Sequence, residues 1–196
     1  MADPPRYGVA VLAAGQSRRF GLEDKLAARF RGGRLGELAC RALAGLDFAQ
    51  RWVIAAQADH PCAGSWKADG FTIAVNPRAA SGMGSSVALA ATLALEAKAD
   101  GLLIALADMP LVAQDHYRAL VARAAALGPA AIAASAAGNL RLPPAAFGRE
   151  RLEALAALTG DVGARALLRQ AEPVECAPGL LIDIDDRQAL ERALRG

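Results

Sequence analysis

The sequence predicts an α/β protein: a three-layer, Rossmann-like fold with a mostly parallel sheet and helices on both faces. Three observations lead there. Apolar runs of strand length alternate with helix-period segments along the chain, the signature of successive βαβ units. The most unusual loops follow strand candidates, which places them at the carboxyl ends of a parallel sheet, where such folds bind ligands. The chain is 196 residues long and 54% hydrophobic, enough for one sizeable core, so residues 1–196 are read as a single domain.

The strand candidates are Gly8–Leu12, Trp52–Ala56, Phe71–Val75, Leu102–Leu106, Ala130–Ala134 and Leu180–Ile184. Each is short, apolar and bounded by turn residues. The helix candidates are Leu35–Leu46, Ser86–Ala97, Asp115–Leu127, Arg149–Ala157, Ala164–Gln170 and Arg187–Leu194. The stretch Ala136–Phe147 breaks the alternation, because Gly138 and the pair Pro143-Pro144 interrupt it. It reads as an irregular insert or a short edge hairpin.

Composition removes several classes of function. A formal net charge of +2 and only five Phe, two Tyr and two Trp argue against a nucleic-acid binder, which needs a basic stripe and stacking platforms. No apolar run of about 18 residues is present, so no membrane span is expected. The first residues lack the basic and apolar regions of a signal peptide. Cys40, Cys62 and Cys176 are dispersed and odd in number, which fits reduced thiols and a cytoplasmic setting. His60 and His116 stand apart from them, so a zinc site of the usual kind is not expected.

Five segments could carry chemistry. Val9 to Leu12 runs into Ala13-Ala14-Gly15-Gln16-Ser17-Arg18-Arg19, followed by Gly21 and Lys25. Small residues let backbone N–H groups approach an anion, and Arg18, Arg19 and Lys25 neutralise it. A nucleoside triphosphate is the obvious anion. The loop is neither a Gly-x-Gly-x-x-Gly fingerprint nor a Gly-x-x-x-x-Gly-Lys-Ser/Thr P-loop; solvated arginines after a plain glycine turn are the bland alternative. The second segment, Asn76 to Ser86, holds Gly82, Met83 and Gly84. Ser85 or Ser86 is expected to cap the following helix, whose N-terminus attracts anions. The third, Leu106-Ala107-Asp108-Met109-Pro110, delivers Asp108 to the sheet edge, where it suits a hard cation or caps its own turn. In the fourth, Asp183-Ile184-Asp185, period-two alternation puts both acids on one face. One of them could join a metal, and Asp185 or Asp186 could instead cap the last helix. In the fifth, Gly160 to Arg165, Asp161 can start a helix. Arg165 stands in its first turn, where the helix dipole disfavours a cation unless an anion binds there.

Taken in order, these segments resemble the molybdenum-cofactor nucleotidyltransferases, the MobA/MocA-like family, and more closely their cytidylyltransferase branch. The likeness rests on Leu12-Ala13-Ala14-Gly15-x-Ser17-x-Arg19-x-Gly21 with Lys25, and on Asn76 with Gly82-Met83-Gly84-Ser85-Ser86. It continues through Ala107-Asp108-Met109-Pro110, Gly160-Asp161-x-Gly163-Ala164-Arg165, and Asp183-Ile184-Asp185. It spans nearly the whole chain. Ala13-Ala14-Gly15 is similar to the cytidine branch, where the guanine branch reads Ala-Gly-Gly. The chain departs from the family where Leu142-Pro143 precedes Pro144-Ala145-Ala146-Phe147 in place of a Gly-His or Gly-Asn pair, on the acceptor side.

The resemblance implies a GT-A-like nucleotidyltransferase fold whose N-terminal part binds nucleotide and whose C-terminal part binds the acceptor. It implies transfer of CMP from CTP to the terminal phosphate of molybdenum-bound molybdopterin, releasing pyrophosphate, with Mg²⁺ (or Mn²⁺) as cofactor. A molybdenum hydroxylase would receive the product. Arg19, Lys25 and Asp108 are the implied catalytic residues. Nucleotide contacts fall to Leu12, Ala13, Ala14, Gly15, Ser17, Asn76, Gly82, Met83 and Ser86 as well. Asp161 and Arg165 lie toward the acceptor, and Asp108 and Asp183 toward the metal. Two other readings remain at this point. One is a related enzyme acting on a sugar phosphate or phospholactate, and the other a non-catalytic protein that carries the molybdenum cofactor.

Overall fold

The computed structural model describes residues 5–15, 20, 24–160 and 163–195, with side chains in the last stretch from residue 166 on. A seven-stranded sheet forms the middle layer. Its strands are β1 (Tyr7–Ala13), β4 (Gln50–Ala55), β5 (Thr72–Val75), β6 (Gly101–Leu106), β7 (Ile132–Ala137), β8 (Leu140–Gly148) and β9 (Glu172–Glu175), in the spatial order β5-β4-β1-β6-β8-β7-β9. A separate two-stranded hairpin joins β2 (Arg29–Phe30) to β3 (Gly33–Arg34).

β1 runs parallel to β4 and β6, and β4 is parallel to β5. Every residue of β1 and β6 is buried, as a strand covered on both faces requires. The helices are α1 (Leu38–Ala44), α2 (Ala63–Ala68), α3 (Met83–Glu96), α4 (Gln114–Leu127), α5 (Leu152–Ala156), α6 (Gly163–Leu168) and α7 (Arg187–Arg195). α3 packs on β1, β4 and β6 and against α5 and α6, while α1 meets α4 beside the other end of the sheet. The expected parallel α/β architecture is therefore present. Among the described residues no helix is long and apolar enough to cross a membrane.

Three expectations are corrected. Leu180–Ile184 is not a strand. Pro178–Leu180 forms a 3₁₀ turn and the chain then continues without regular secondary structure, outside the sheet. The place beside β7 is taken by β9, parallel to it. Glu172-Pro173-Val174-Glu175 hides from a hydrophobicity reading, yet its proline and charges are tolerated on an edge strand. The second correction concerns Ala136–Phe147, which is an interior hairpin rather than an edge one. β8 lies between β6 and β7, antiparallel to both. It can do so because its ladder to β6 uses only Ala145–Gly148. Pro143 and Pro144 fall at a register shift against β7, between Ala134 and Ser135, where no ladder N–H is needed. Buried Ser135 donates to the Pro144 carbonyl at 2.8 Å and lies 2.8 Å from His116 Nε2, which ties down that shift. The third correction concerns the second loop. α3 begins at Met83 behind Gly82, which has φ of +108° and offers no side-chain cap. Ser85 and Ser86 sit inside the helix rather than capping it.

A small satellite core positions the functional end. Phe30, Leu35, Ile184, Ala189 and Ala193 are buried together. They hold α7 and the 183–185 segment against the β2–β3 hairpin. Ile184 is fully buried, so the acids on either side of it in sequence are turned away from that core.

Candidate active site

A cation and three carboxylates converge at the carboxyl end of the central strands. β1 and β6 continue their pairing for one bond beyond β6, from the Ala107 N–H to the Leu12 carbonyl at 3.0 Å. Asp108 is the next residue, held by its buried neighbour Met109. Its carbonyl accepts from the Ile184 N–H at 3.0 Å, and that bond brings the 183–185 segment alongside. On the other side, Asp24 opens a 3₁₀ turn over Lys25–Ala27, its Oδ1 accepting from the Leu26 N–H at 2.9 Å. The turn delivers Lys25, whose Nζ donates to Asp108 Oδ2 at 2.6 Å and to Asp185 Oδ1 at 2.9 Å.

Lys25 is buried, with a side chain 9% exposed against 20% for Asp108 and 36% for Asp185. Burial alone would pull its pKa down. Asp108, helped by Asp185, more than reverses this, so the ammonium is held above its ordinary range. Asp183 is open to solvent on one side. Packing around its carboxyl, and then the charges of Asp108 and Asp185, push its pKa up to about 6 against the opposing pull of Lys25. The ionised form of Asp183 is thus disfavoured in the fold. A carboxyl raised in the folded state lowers stability as pH rises from its unfolded value toward 6, and the penalty is complete above that. Asp183→Asn is expected to raise the melting temperature at pH 7.5 by roughly 2–4 °C, the shift that about 1 kcal/mol gives in a chain of this size once solvent screening is discounted. No gain is expected at pH 4, and melting curves at the two pH values check this.

The residues fit a hard divalent cation. Carboxylate oxygens are its preferred donors, and Asp183 carries negative charge that one such ion would relieve. Asp108 and Asp183 are the ligands the sequence suggests, and Asp185 is within the same cluster. Among the described residues no three acidic, His or Cys side chains are already spaced as a ligand set; the Lys25 ammonium spans the gap between Asp108 and Asp185. A cleft of about 620 Å³ opens beside Asp183, with Leu111, Ile182 and Ala189 as apolar walls and Arg31 and Arg192 at its margin.

The second loop is locked from within. Asn76 is buried at the end of β5, its N–H bonded to the Ala55 carbonyl. Its amide nitrogen donates to Ser85 Oγ at 2.9 Å and Ser86 Oγ at 3.0 Å, and its Oδ1 accepts from the Arg78 N–H. Both amide hydrogens are therefore spent on the loop itself. Met83, next to Gly82, is exposed. Gly84 joins this loop to the fifth segment: its N–H donates to the Gly160 carbonyl at 3.0 Å. A Cβ at residue 84 would stand 2.0 Å from that same oxygen, which forces backbone to move. Gly84→Val is expected to cost about 3 kcal/mol, at the upper end for overpacking. Chemical denaturation checks it, and a loss under 0.5 kcal/mol would contradict the contact.

The structure brings Lys25, Asp108, Asp183 and Asp185 together, and places Leu12, Ala13 and Ala14 buried beside them at the end of β1. Gly15 follows with open space where a side chain would stand. Gln16 to Arg19, Gly21 and Asp161 lie outside the described residues, as does the side chain of Arg165, whose backbone is in α6. One feature escapes sequence reading. His60, far from Asp24 in the chain, contacts that acid through Nε2 at 2.6 Å, and no motif spacing announces it.

Residues 9–174 match the MobA-like NTP transferase domain. The chain belongs to that family. This transferase is 34% identical over 198 residues to the purine catabolism protein PucB of Bacillus subtilis (strain 168), covering 88% of this chain and 84% of that one. Among solved structures it superposes on Rv0371c from Mycobacterium tuberculosis H37Rv with a TM-score of 0.75, at 23% identity and 100% coverage of both chains. A manganese complex of that protein is also known. Mth528, a nucleotidyl transferase from Methanothermobacter thermautotroptrophicus, superposes with a TM-score of 0.75 at 22% identity, over 97% of this chain and 96% of that one. The structural likenesses carry the fold. Family membership carries the activity class: the protein is a nucleotidyltransferase.

Proposed function

We propose that this transferase moves CMP from CTP to the terminal phosphate of molybdenum-bound molybdopterin, forming the cytosine dinucleotide and releasing pyrophosphate. The observation that carries this reading is the contact of Lys25 with Asp108 and Asp185 at the sheet's carboxyl edge. There a dense local charge lies at the end of β1, beside the buried Leu12, Ala13 and Ala14. Phosphoryl-type transfer needs positioning and charge neutralisation more than a covalent nucleophile. The acceptor phosphate, with a second pKa near 6, is largely ionised at neutral pH, so no general base is required.

In this reading Lys25 and Arg19 draw in the phosphates, and the backbone from Ala14 to Ser17 supplies N–H donors. Asp108 and Asp183, with Asp185, would hold Mg²⁺ or Mn²⁺, whose charge would offset that developing on the phosphate oxygens. The manganese complex of the Mycobacterium protein supports that choice of ion. Lys25, which here bridges Asp108 and Asp185, would turn its ammonium to the triphosphate when those carboxylates hold such an ion. In the second loop, Asn76 and Ser86 shape the turn and Gly82 and Met83 present its rim to the nucleotide. Asp161 and Arg165 serve the acceptor side; the Gly84–Gly160 contact sets the start of their segment against the second loop. The name of the Bacillus relative ties that protein to purine catabolism, and a molybdenum hydroxylase acting on a purine would be a fitting recipient.

The test incubates the protein with each of the four nucleoside triphosphates, with and without molybdenum-bound molybdopterin, and scores pyrophosphate and dinucleotide. Release with CTP that requires the molybdopterin supports the reading. Release with another triphosphate, or with a sugar phosphate in place of the pterin, contradicts it.

A further inference from the structure

We infer that His60, acting through Asp24, is a positioning residue for Lys25. The inference rests on the reading of Lys25 as part of the working site. His60 lies in the loop between β4 and α2, at the same sheet edge as Asp108. Its side chain is only 5% exposed, and both ring nitrogens are occupied. Nδ1 accepts from the Cys62 N–H at 3.0 Å, so it carries no proton. The proton of the neutral ring therefore sits on Nε2 and is donated to Asp24 Oδ2, 2.6 Å away, a short, charge-assisted bond.

Asp24 divides its two oxygens between two tasks. Oδ2 takes the His60 proton, and Oδ1 caps the Leu26 N–H that starts the turn presenting Lys25. The histidine is itself fixed, its ring stacked on Trp66 with centroids 4.7 Å apart. Trp66 in turn donates from Nε1 to the Gly36 carbonyl at 2.8 Å. Cys62 closes the clamp by donating from Sγ to the Leu26 carbonyl at 3.4 Å. The residue immediately before Lys25 is thus gripped by a buried ring whose tautomer is set by a backbone N–H. Outer partners that orient metal ligands typically matter 10–100-fold when removed, and His60 stands in the same relation to Lys25. A histidine placed merely to fill the core would need neither nitrogen matched to a carboxylate.

The experiment follows pyrophosphate release in His60→Phe, which keeps the ring on Trp66 and removes both nitrogens, alone and combined with Lys25→Ala. His60→Phe is expected to lower kcat at least about tenfold with a smaller change in KM for CTP. It should lower kcat by less than twofold further in the Lys25→Ala background, because the contact acts through that lysine. An equal loss in both backgrounds, or no loss in the native one, overturns the inference. Should His60→Phe fail to fold, Asp24→Asn carries the same test. Its Oδ1 can still cap Leu26, while its amide meets the His60 N–H donor to donor. A Lys25→Ala enzyme as fast as the native one would remove the site reading itself, and with it the inference. Nitrogen NMR of the ring gives a readout independent of turnover: a protonated Nε2 and bare Nδ1 are expected, and the reverse tautomer contradicts the clamp.

Discussion

Asp108→Ala is expected to abolish divalent-cation-dependent pyrophosphate release, lowering kcat by about 10³-fold or more, the scale on which single electrostatic groups act in such centres. The reason is positional. Asp108 is delivered by the buried strand pair β1–β6, one residue past its last bond, which fixes its backbone at the sheet edge. Its loss leaves Lys25 bonded to Asp185 at 2.9 Å, and the fold should therefore persist. Steady-state kinetics with Mg²⁺ and with Mn²⁺, beside a melting curve within a few degrees of native, checks both halves. Turnover within tenfold of native would remove Asp108 from the centre.

Lys25→Ala has two expected effects, and their combination is diagnostic. Without ligands, the variant leaves Asp108, Asp183 and Asp185 facing one another with their cation gone. Breaking a fully buried pair costs about 3–5 kcal/mol; solvent on Asp108 and Asp185 reduces this to about 2 kcal/mol. The loss should be present at pH 7.5 and shrink as pH falls through 6 and Asp183 takes up a proton. Millimolar Mn²⁺ should recover more stability in the variant than in the native chain, since the ion no longer competes with an ammonium. Turnover should nonetheless fall about 10²-fold, the scale on which single electrostatic groups act, because the ion restores the fold without restoring the phosphate clamp. Melting curves with and without Mn²⁺, set beside kcat, separate these effects. Equal Mn²⁺ stabilisation of both proteins would contradict the shared place of ion and lysine.

Much of this centre is legible in the chain because its signals are local. Val9–Leu12 and Leu102–Leu106 are short apolar runs that read as buried strands; Asp108 follows the second almost at once, and Lys25 follows the first across a glycine-bearing loop. The alternation of Asp183, Ile184 and Asp185 also reads correctly as a shared face, although the segment is not a strand: Ile184 alone is drawn into the satellite core. What sequence patterning misses is non-local. Glu172–Glu175 becomes a strand because β7 leaves an edge open, and nothing in its own composition says so. Pro143-Pro144 argues for an edge until the register shift opposite Ser135 shows where two prolines fit inside a sheet. Asp24 and His60 are 36 residues apart, and Gly84 meets Gly160 across the fold. Neither pair has a spacing that a motif could record.

The central claim is that triphosphate and cation meet at Lys25, Asp108 and the acids at 183 and 185. A crystal structure of the protein with CTP and Mg²⁺ tests it most directly. The account predicts the ion bound to a carboxylate oxygen of Asp108 and to phosphate oxygens, with the Lys25 ammonium moved from between Asp108 and Asp185 onto the triphosphate. An ordered nucleotide bound elsewhere, or an ion at the triphosphate with no Asp108 oxygen in contact and Lys25 still bridging its two carboxylates, would contradict it.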